Sequence, residues 1–326
     1  MRAATGRHRI VVLVVFALAT THAGAETDTP PSAGGSATTP ASDEARNDAG
    51  EEKRSSLARG DFVIEGHRPN YLLLYSYVHD PNAVPFLATD PEADWLHQEI
   101  KFQLSLKVPA RYDLLGRNGD RFGNNLDVWF GYTQVSYWQA YYFERSAPFR
   151  GSDYEPELGL TYRSNRPTGT EHPSLYDLGA FSVPAVSAGL AHQSNGGGSP
   201  LSRSWNRLWL MIDMSYGQSW SFKLKPWFRF REAKAEDDNP KIEEYMGRAE
   251  FLAIYRHAKH QFSAALHNNL RRDSRSGYQL DWTIPVEGWQ FKLMVHFYNG
   301  YGESLIDHDV RVRRIGIGAL VNDWKR

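Results

Sequence analysis

His192, Ser194 and Asn206 are the residues of this chain whose types and spacing could cleave an ester. Ester hydrolysis takes a nucleophile, a base that accepts its proton, and a group that orients the base. Serine, histidine and an amide fill these places in turn, because an asparagine carbonyl can accept an imidazole N–H and fix the tautomer. Being neutral, the amide stabilises an imidazolium less than a carboxylate would. Gly196, Gly197 and Gly198 follow the serine. Their backbone N–H groups could serve an oxyanion, and the same glycines would also suit a tight hairpin turn. His-x-Ser alone is a common tripeptide, so its setting decides what it is worth. Val186, Ala188 and Leu190 alternate with small or polar residues, and the same parity runs on into His192 and Ser194. Past the glycines, Asn206 shares a parity with Ser204, Leu208, Leu210, Ile212 and Met214, opposed by Trp205, Arg207, Trp209 and Asp213. Residues two apart on a strand share a face. All three polar side chains therefore lie on the apolar faces of two strands joined by a short turn. Polar groups without a task are costly against hydrocarbon; a face of this kind makes sense if it meets lipid.

The elements that must position this set are strands. From Asn70 onward, period-two alternation recurs in segments of roughly ten residues, the length a tilted strand needs to cross a bilayer. Phe222, Leu224, Phe228 and Phe230 oppose Lys223, Lys225, Arg229 and Arg231, with Pro226 on the apolar side. Phe102, Leu104, Leu106 and Val108 share a face, and Tyr278, Leu280, Trp282 and Ile284 oppose Gln279, Asp281 and Thr283. Runs of this kind begin near Asn70, Glu99, Asp127, Glu155, Val186, Arg203, Ser219, Tyr245, Gln261, Gly277, Gln290 and Arg311. They predict an all-β fold, a transmembrane antiparallel β-barrel of about twelve strands whose charged faces form a polar lumen. An even strand count closes the sheet without edges. With both termini in the periplasm, the Asn195 to Ser202 turn and a Tyr141 to Tyr154 loop lie at the external end, and the site sits at the outer leaflet.

Composition narrows the class further. The 326 residues are 41% hydrophobic, 23% charged and 13% aromatic, with mean hydropathy of -0.54. No run of about 20 apolar residues follows the N-terminus, which excludes a helical membrane protein. The formal charge of -1 selects no nucleic acid, and the absence of cysteine excludes disulfides. Arg2, Arg7 and Arg9, the apolar Ile10 to Ala19 and the small Ala23-Gly24-Ala25 predict a signal peptide over residues 1–25. Residues 26–60 lack any aromatic residue and read as a disordered tether, leaving 61–326 as the barrel domain.

His192-Gln193-Ser194-Asn195-Gly196, followed by Ser202-Arg203-Ser204-Trp205-Asn206-Arg207-Leu208, resembles the signature of the outer-membrane phospholipase A family. Asn70-Tyr71-Leu72, Lys101 to Leu106, Tyr132-Thr133-Gln134, Pro148-Phe149-Arg150, Lys225-Pro226-Trp227, Asp237-Asp238-Asn239-Pro240, Tyr245-Met246-Gly247 and Gly300 to Asp307 also look like that family, so the similarity spans Asn70 to about Asp323. The resemblance implies Ser194 as nucleophile, His192 as base and Asn206 as orienting residue in an enzyme cleaving either acyl ester of membrane phospholipids. It implies a homodimer with one catalytic calcium ion per site, held by the Ser202 hydroxyl, the Gly197 carbonyl and Ser146 of the partner subunit. The Gly196 N–H and calcium-bound water would then stabilise the oxyanion. The family often has arginine where Gly197 stands, but only the carbonyl is used. A stretch around Pro167 to Ser174 reads as a longer turn.

Gln134 shares a strand face with Val128, Phe130 and Tyr132, which points its amide at lipid. The resemblance places it in a hydrogen bond across the subunit interface. His257, His260 and His267 straddle a strand turn without a convergent partner, and Glu236, Asp237 and Asp238 with Asn239 read as loop chemistry and not a second calcium site. The rival reading is a passive porin or structural barrel with Lys223, Lys225, Arg229 and Arg231 lining a conducting lumen.

Overall fold

The structure, a computed structural model, describes residues 63–116, 119–164, 174–233, 237–272 and 275–322. The signal peptide, the tether, most of the 167–174 turn and Glu236 lie outside the described residues. Twelve strands form the wall: β1 (Asn70–Val78), β2 (Gln98–Arg111), β3 (Asn124–Trp138), β4 (Phe149–Ser164), β5 (Phe181–Ser194), β6 (Ser204–Tyr216), β7 (Trp220–Phe230), β8 (Ala249–His257), β9 (His260–Asn268), β10 (Gly277–Pro285), β11 (Lys292–Gly300) and β12 (Val312–Asn322). Each pairs antiparallel with the next, and β12 pairs with β1, so the sheet closes into a barrel. Closure leaves no edge to be satisfied in lipid, as a spanning sheet requires. Two short strands, Glu65–Gly66 and Tyr176–Leu178, pair with β2 and β5.

Most predicted starts fall within three residues of the observed ones, and three need correction. The fourth strand begins at Phe149 and not near Glu155, so the expected 141–154 loop is shorter. Its first turn carries Arg150, Gly151 and Ser152, which read as loop residues, yet Arg150 is buried in the lumen between Glu99 and Asp307. The fifth begins at Phe181 and not Val186, because Pro184 lies at a register shift between Ser182 and Ala185 that interrupts the alternation. Tyr245 belongs to a short helix, α1 (Ile242–Tyr245), and the eighth strand starts at Ala249. Ile242 is fully buried against Trp205 and Leu305, which draws this segment inward over the lumen.

The two faces of the wall separate as the alternation predicts. Leu104, Leu158, Leu190, Leu208, Phe228, Leu280 and Ile317 are exposed on the outside. Charged side chains fill the inside: Arg314 bonds Glu99 at 2.6 Å and Glu303 at 2.6 Å, Lys101 bonds Glu303 at 2.9 Å, and His296 bonds Asp281 at 2.7 Å. From the N-terminal side, His67 and Arg68 cross the lumen to Glu157 at 2.7 and 3.1 Å, while Lys225 reaches the same carboxylate at 2.9 Å.

This interior corrects the lumen of the porin reading. Lys223 pairs with Asp213, Lys225 with Glu157 and Arg229 with Asp237, and Arg231 lies beyond the end of β7 and is exposed. Buried Trp205, Ile242 and Leu305 close the end that carries loops 195–203, 231–248 and 301–311. A cavity of about 170 Å³ remains between the charged walls, bordered by Arg68, Lys101, Glu155 and Arg207. The lumen is a packed polar core.

Candidate active site

Strand direction places the site. β1 starts and β12 ends at one mouth of the barrel, and β5 runs away from that mouth, so Ser194 lies at the opposite mouth with the 195–203 loop above it. There β5 and β6 pair His192 with Asn206 and Ser194 with Ser204. Directly opposed residues of an antiparallel pair bring their side chains side by side. His192 Nδ1 accordingly lies 2.9 Å from Asn206 Oδ1. An amide oxygen only accepts, so Nδ1 carries a proton, which leaves Nε2 as the ring nitrogen able to act as a base. Ser194 is two residues on, on the same outward face as His192 and the exposed Leu190. Among the described residues no hydrogen bond joins its hydroxyl to the ring; such contacts often tighten only in the substrate complex.

The turn is organised by Asn195, which the sequence reading placed in the motif and the turn but gave no role. Its Oδ1 accepts the Gly197 N–H at 3.2 Å and the Arg203 N–H at 3.0 Å, and its Nδ2 donates to the Leu201 carbonyl at 2.7 Å. This is the side-chain mimicry of a backbone turn that asparagine favours, and its position after Ser194 was the available signal. The Gly197 N–H is thereby occupied, whereas no hydrogen bond among the described residues engages that of Gly196. Gly196 has φ of +65°, a conformation suited to glycine.

Behind the outward pair, Gln193 and Arg207 face the lumen. Gln193 Oε1 accepts from Trp205 Nε1 at 2.9 Å and Arg207 Nη2 at 3.0 Å, and Arg207 pairs with Glu155 at 3.0 Å. The two strands are thus cross-linked on both faces at the positions flanking His192 and Asn206. Outside, a groove of about 510 Å³ runs past His192 and Asn206 between Phe130, Leu158, Leu190 and Phe230. Its walls are hydrocarbon and aromatic, suited to an acyl chain.

Oxygen donors gather beside the turn. The Ser202 hydroxyl donates to Asp238 Oδ2 at 2.5 Å, and carboxylate oxygens of Glu232, Asp237 and Asp238 lie within 4.8 Å of one another. Gly197 is exposed in the same loop, while Ser146 is exposed beyond the end of β3, apart from the other predicted donors in chain position. Asp237 and Asp238 also accept from backbone, from the Asn239 and Ser204 N–H groups respectively. Glu232 was missed by sequence reasoning: it receives the Asn206 Nδ2 at 3.2 Å.

Gln134 is half-buried. Its Oε1 accepts from the Tyr132 hydroxyl at 3.2 Å and its Nε2 donates to Ser136 Oγ at 3.0 Å. One N–H and one lone pair of the amide remain. His267 is bound to the Tyr301 carbonyl at 2.7 Å, and His257 pairs across the hairpin with His260.

The phospholipase A1 family matches residues 48–321. A putative phospholipase A1 of Neisseria meningitidis is 36% identical over 278 residues, covering 81% of this chain and 67% of that protein. Among solved structures, outer membrane phospholipase A from Escherichia coli matches with a TM-score of 0.71 and 32% identity, over 81% of this chain and 100% of that one. The outer membrane phospholipase of Salmonella typhi, solved as a dimer with bound calcium, matches with a TM-score of 0.70 and 31% identity, over 80% and 93% of the two chains.

Proposed function

Since the chain belongs to the phospholipase A1 family and is an outer-membrane β-barrel phospholipase, we propose that it is a calcium-dependent serine acyl hydrolase acting through Ser194, His192 and Asn206. Its substrates are phospholipids and lysophospholipids, cleaved at the sn-1 and sn-2 esters. The observation that carries this reading is the His192 Nδ1 to Asn206 Oδ1 hydrogen bond of 2.9 Å on the outer wall, where only lipid-borne substrate would find it.

The chemistry follows from the tautomer. With Nδ1–H held by Asn206, Nε2 accepts the Ser194 proton as the serine oxygen attacks the ester carbonyl carbon. The negative charge that develops on the carbonyl oxygen is met by the Gly196 N–H. The imidazolium then returns its proton to the departing glycerol oxygen, leaving an acyl-serine. Water, deprotonated by the same nitrogen, releases the fatty acid and restores Ser194. The groove along Phe130, Leu158, Leu190 and Phe230 holds the acyl chain; because that chain leaves hydrocarbon for an equally apolar wall, the groove orients the ester through packing and adds no water-to-oil burial energy.

The donor set fits calcium, which takes hard oxygen ligands: the Ser202 hydroxyl stands against the Asp238 carboxylate, with the Gly197 carbonyl in the same loop. Ser146 of the partner subunit completes the set in a homodimer. Bound calcium would supply positive charge beside the oxyanion. The unused N–H and lone pair of Gln134 suit a reciprocal pair across a two-fold axis, and the barrel is oriented with the site at the outer leaflet. The calcium-bound dimer of the Salmonella typhi relative supports this arrangement.

Fatty-acid release from mixed micelles by the refolded protein tests the reading, with calcium, with a chelator, and with Ser194→Ala. Release that depends on calcium and disappears in the variant is expected; undiminished release by Ser194→Ala would overturn it.

A further inference from the structure

We propose that Glu232 is a positioning residue that lends the catalytic histidine, through the Asn206 amide, the negative charge an asparagine lacks. The inference rests on the reading of Ser194, His192 and Asn206 as the catalytic set. Asn206 lies opposite Phe230 across the β6–β7 pair, and Glu232 is two residues further on, at the same parity. Diagonal neighbours on one face are within reach of long side chains. The row His192, Asn206, Glu232 therefore runs from β5 across β6 to the segment just past the end of β7.

The amide is engaged at both ends: its oxygen takes the imidazole N–H at 2.9 Å and its nitrogen donates to Glu232 Oε1 at 3.2 Å. The two contacts reinforce each other, since linked hydrogen bonds polarise one another. A carboxylate at the N–H side pushes electron density toward the carbonyl oxygen and strengthens its hold on the ring as the ring becomes positive. Asp237 and Asp238 do not share this place. Asp237 is bound to Arg229 and the Asn239 N–H, and Asp238 to the Ser202 hydroxyl and the Ser204 N–H. Glu232 is the carboxylate on Asn206. Because it is only partly buried, solvent screens it, and a modest effect is expected.

Glu232→Gln separates charge from geometry, since the glutamine oxygen can still accept from Asn206. We expect kcat to fall about fivefold, the difference between a charged and a neutral acceptor, with KM and the calcium concentration for half-activation unchanged. In an Asn206→Asp background the ring meets a carboxylate directly, so adding Glu232→Gln should leave kcat unchanged or raise it by removing a repulsive neighbour. An unchanged kcat for Glu232→Gln alone would overturn the proposal, as would equal losses in both backgrounds. A shifted calcium half-activation would overturn it by assigning Glu232 to the ion. Undiminished release by Ser194→Ala in the same assay would instead mean that the underlying catalytic reading had failed. Heat-modifiable gel mobility confirms that each variant is a folded barrel.

Discussion

Replacing Asn206 by alanine removes the acceptor of the His192 N–H without touching the proposed nucleophile Ser194 or the proposed base His192. With a neutral ring, this bond of 2.9 Å contributes about 1 kcal/mol. In the transition state the ring is an imidazolium, and a bond to a charged group is worth about 1.5–3 kcal/mol. The variant also allows the second tautomer, with the proton on Nε2, which cannot accept from Ser194. His192 is exposed, so water can replace part of the lost bond, which places the loss within that range and below the roughly 10⁴-fold effect of losing a carboxylate orienter in serine proteases. We expect kcat to fall about 10- to 150-fold with KM nearly unchanged. The assay is fatty-acid release from mixed micelles at saturating calcium, with folding checked by heat-modifiable gel mobility. A folded Asn206→Ala protein within twofold of the parent kcat would refute the orienting role.

Three further outcomes test the interior and its cap. Glu99→Ala leaves Arg150 with Asp307 and Arg314 with Glu303, so the loss should fall near the lower end of the buried-pair range, about 3 kcal/mol, read by urea unfolding in detergent. Burial holds the His308 pKa below that of an ordinary histidine; the unfolded chain then binds the proton more readily, so stability should fall as pH drops below about 6.5. His308→Gln should flatten this dependence in melts between pH 7.5 and 5. Because the lumen is filled by ion pairs and closed by Trp205, Ile242 and Leu305, the protein in planar bilayers should show no steady porin-like conductance; large stable openings would contradict the packing described.

The barrel was legible because lipid and lumen impose opposite chemistries on alternate residues, as Phe228 and Phe230 outside and Arg229 inside illustrate. The same parity exposed His192, Ser194 and Asn206. It could not expose Glu232, which follows the last alternating residue of β7 and acquires its partner from β6 through tertiary placement. His67 and Arg68 were invisible for a related reason: they precede the alternation, and their partners Glu155 and Glu157 lie on β4 across the lumen. Ile242 and Leu305 read as loop residues, and only the fold reveals that they seal one mouth with Trp205.

Arg314 on β12 binds Ser76 of β1 and Glu99 of β2 at 2.8 and 2.6 Å, joining the final strand to the first two. These contacts exist only after the whole chain has been laid down, so the ring is completed through very distant contacts, a slow class of folding event. They also proofread it. A one-residue slip at the seam would turn every β12 side chain to the other face, sending the Arg314 guanidinium into hydrocarbon and leaving the Glu99 carboxylate short of a cation. A misaligned closure is therefore penalised at once by charge, and only the correct seam is retained.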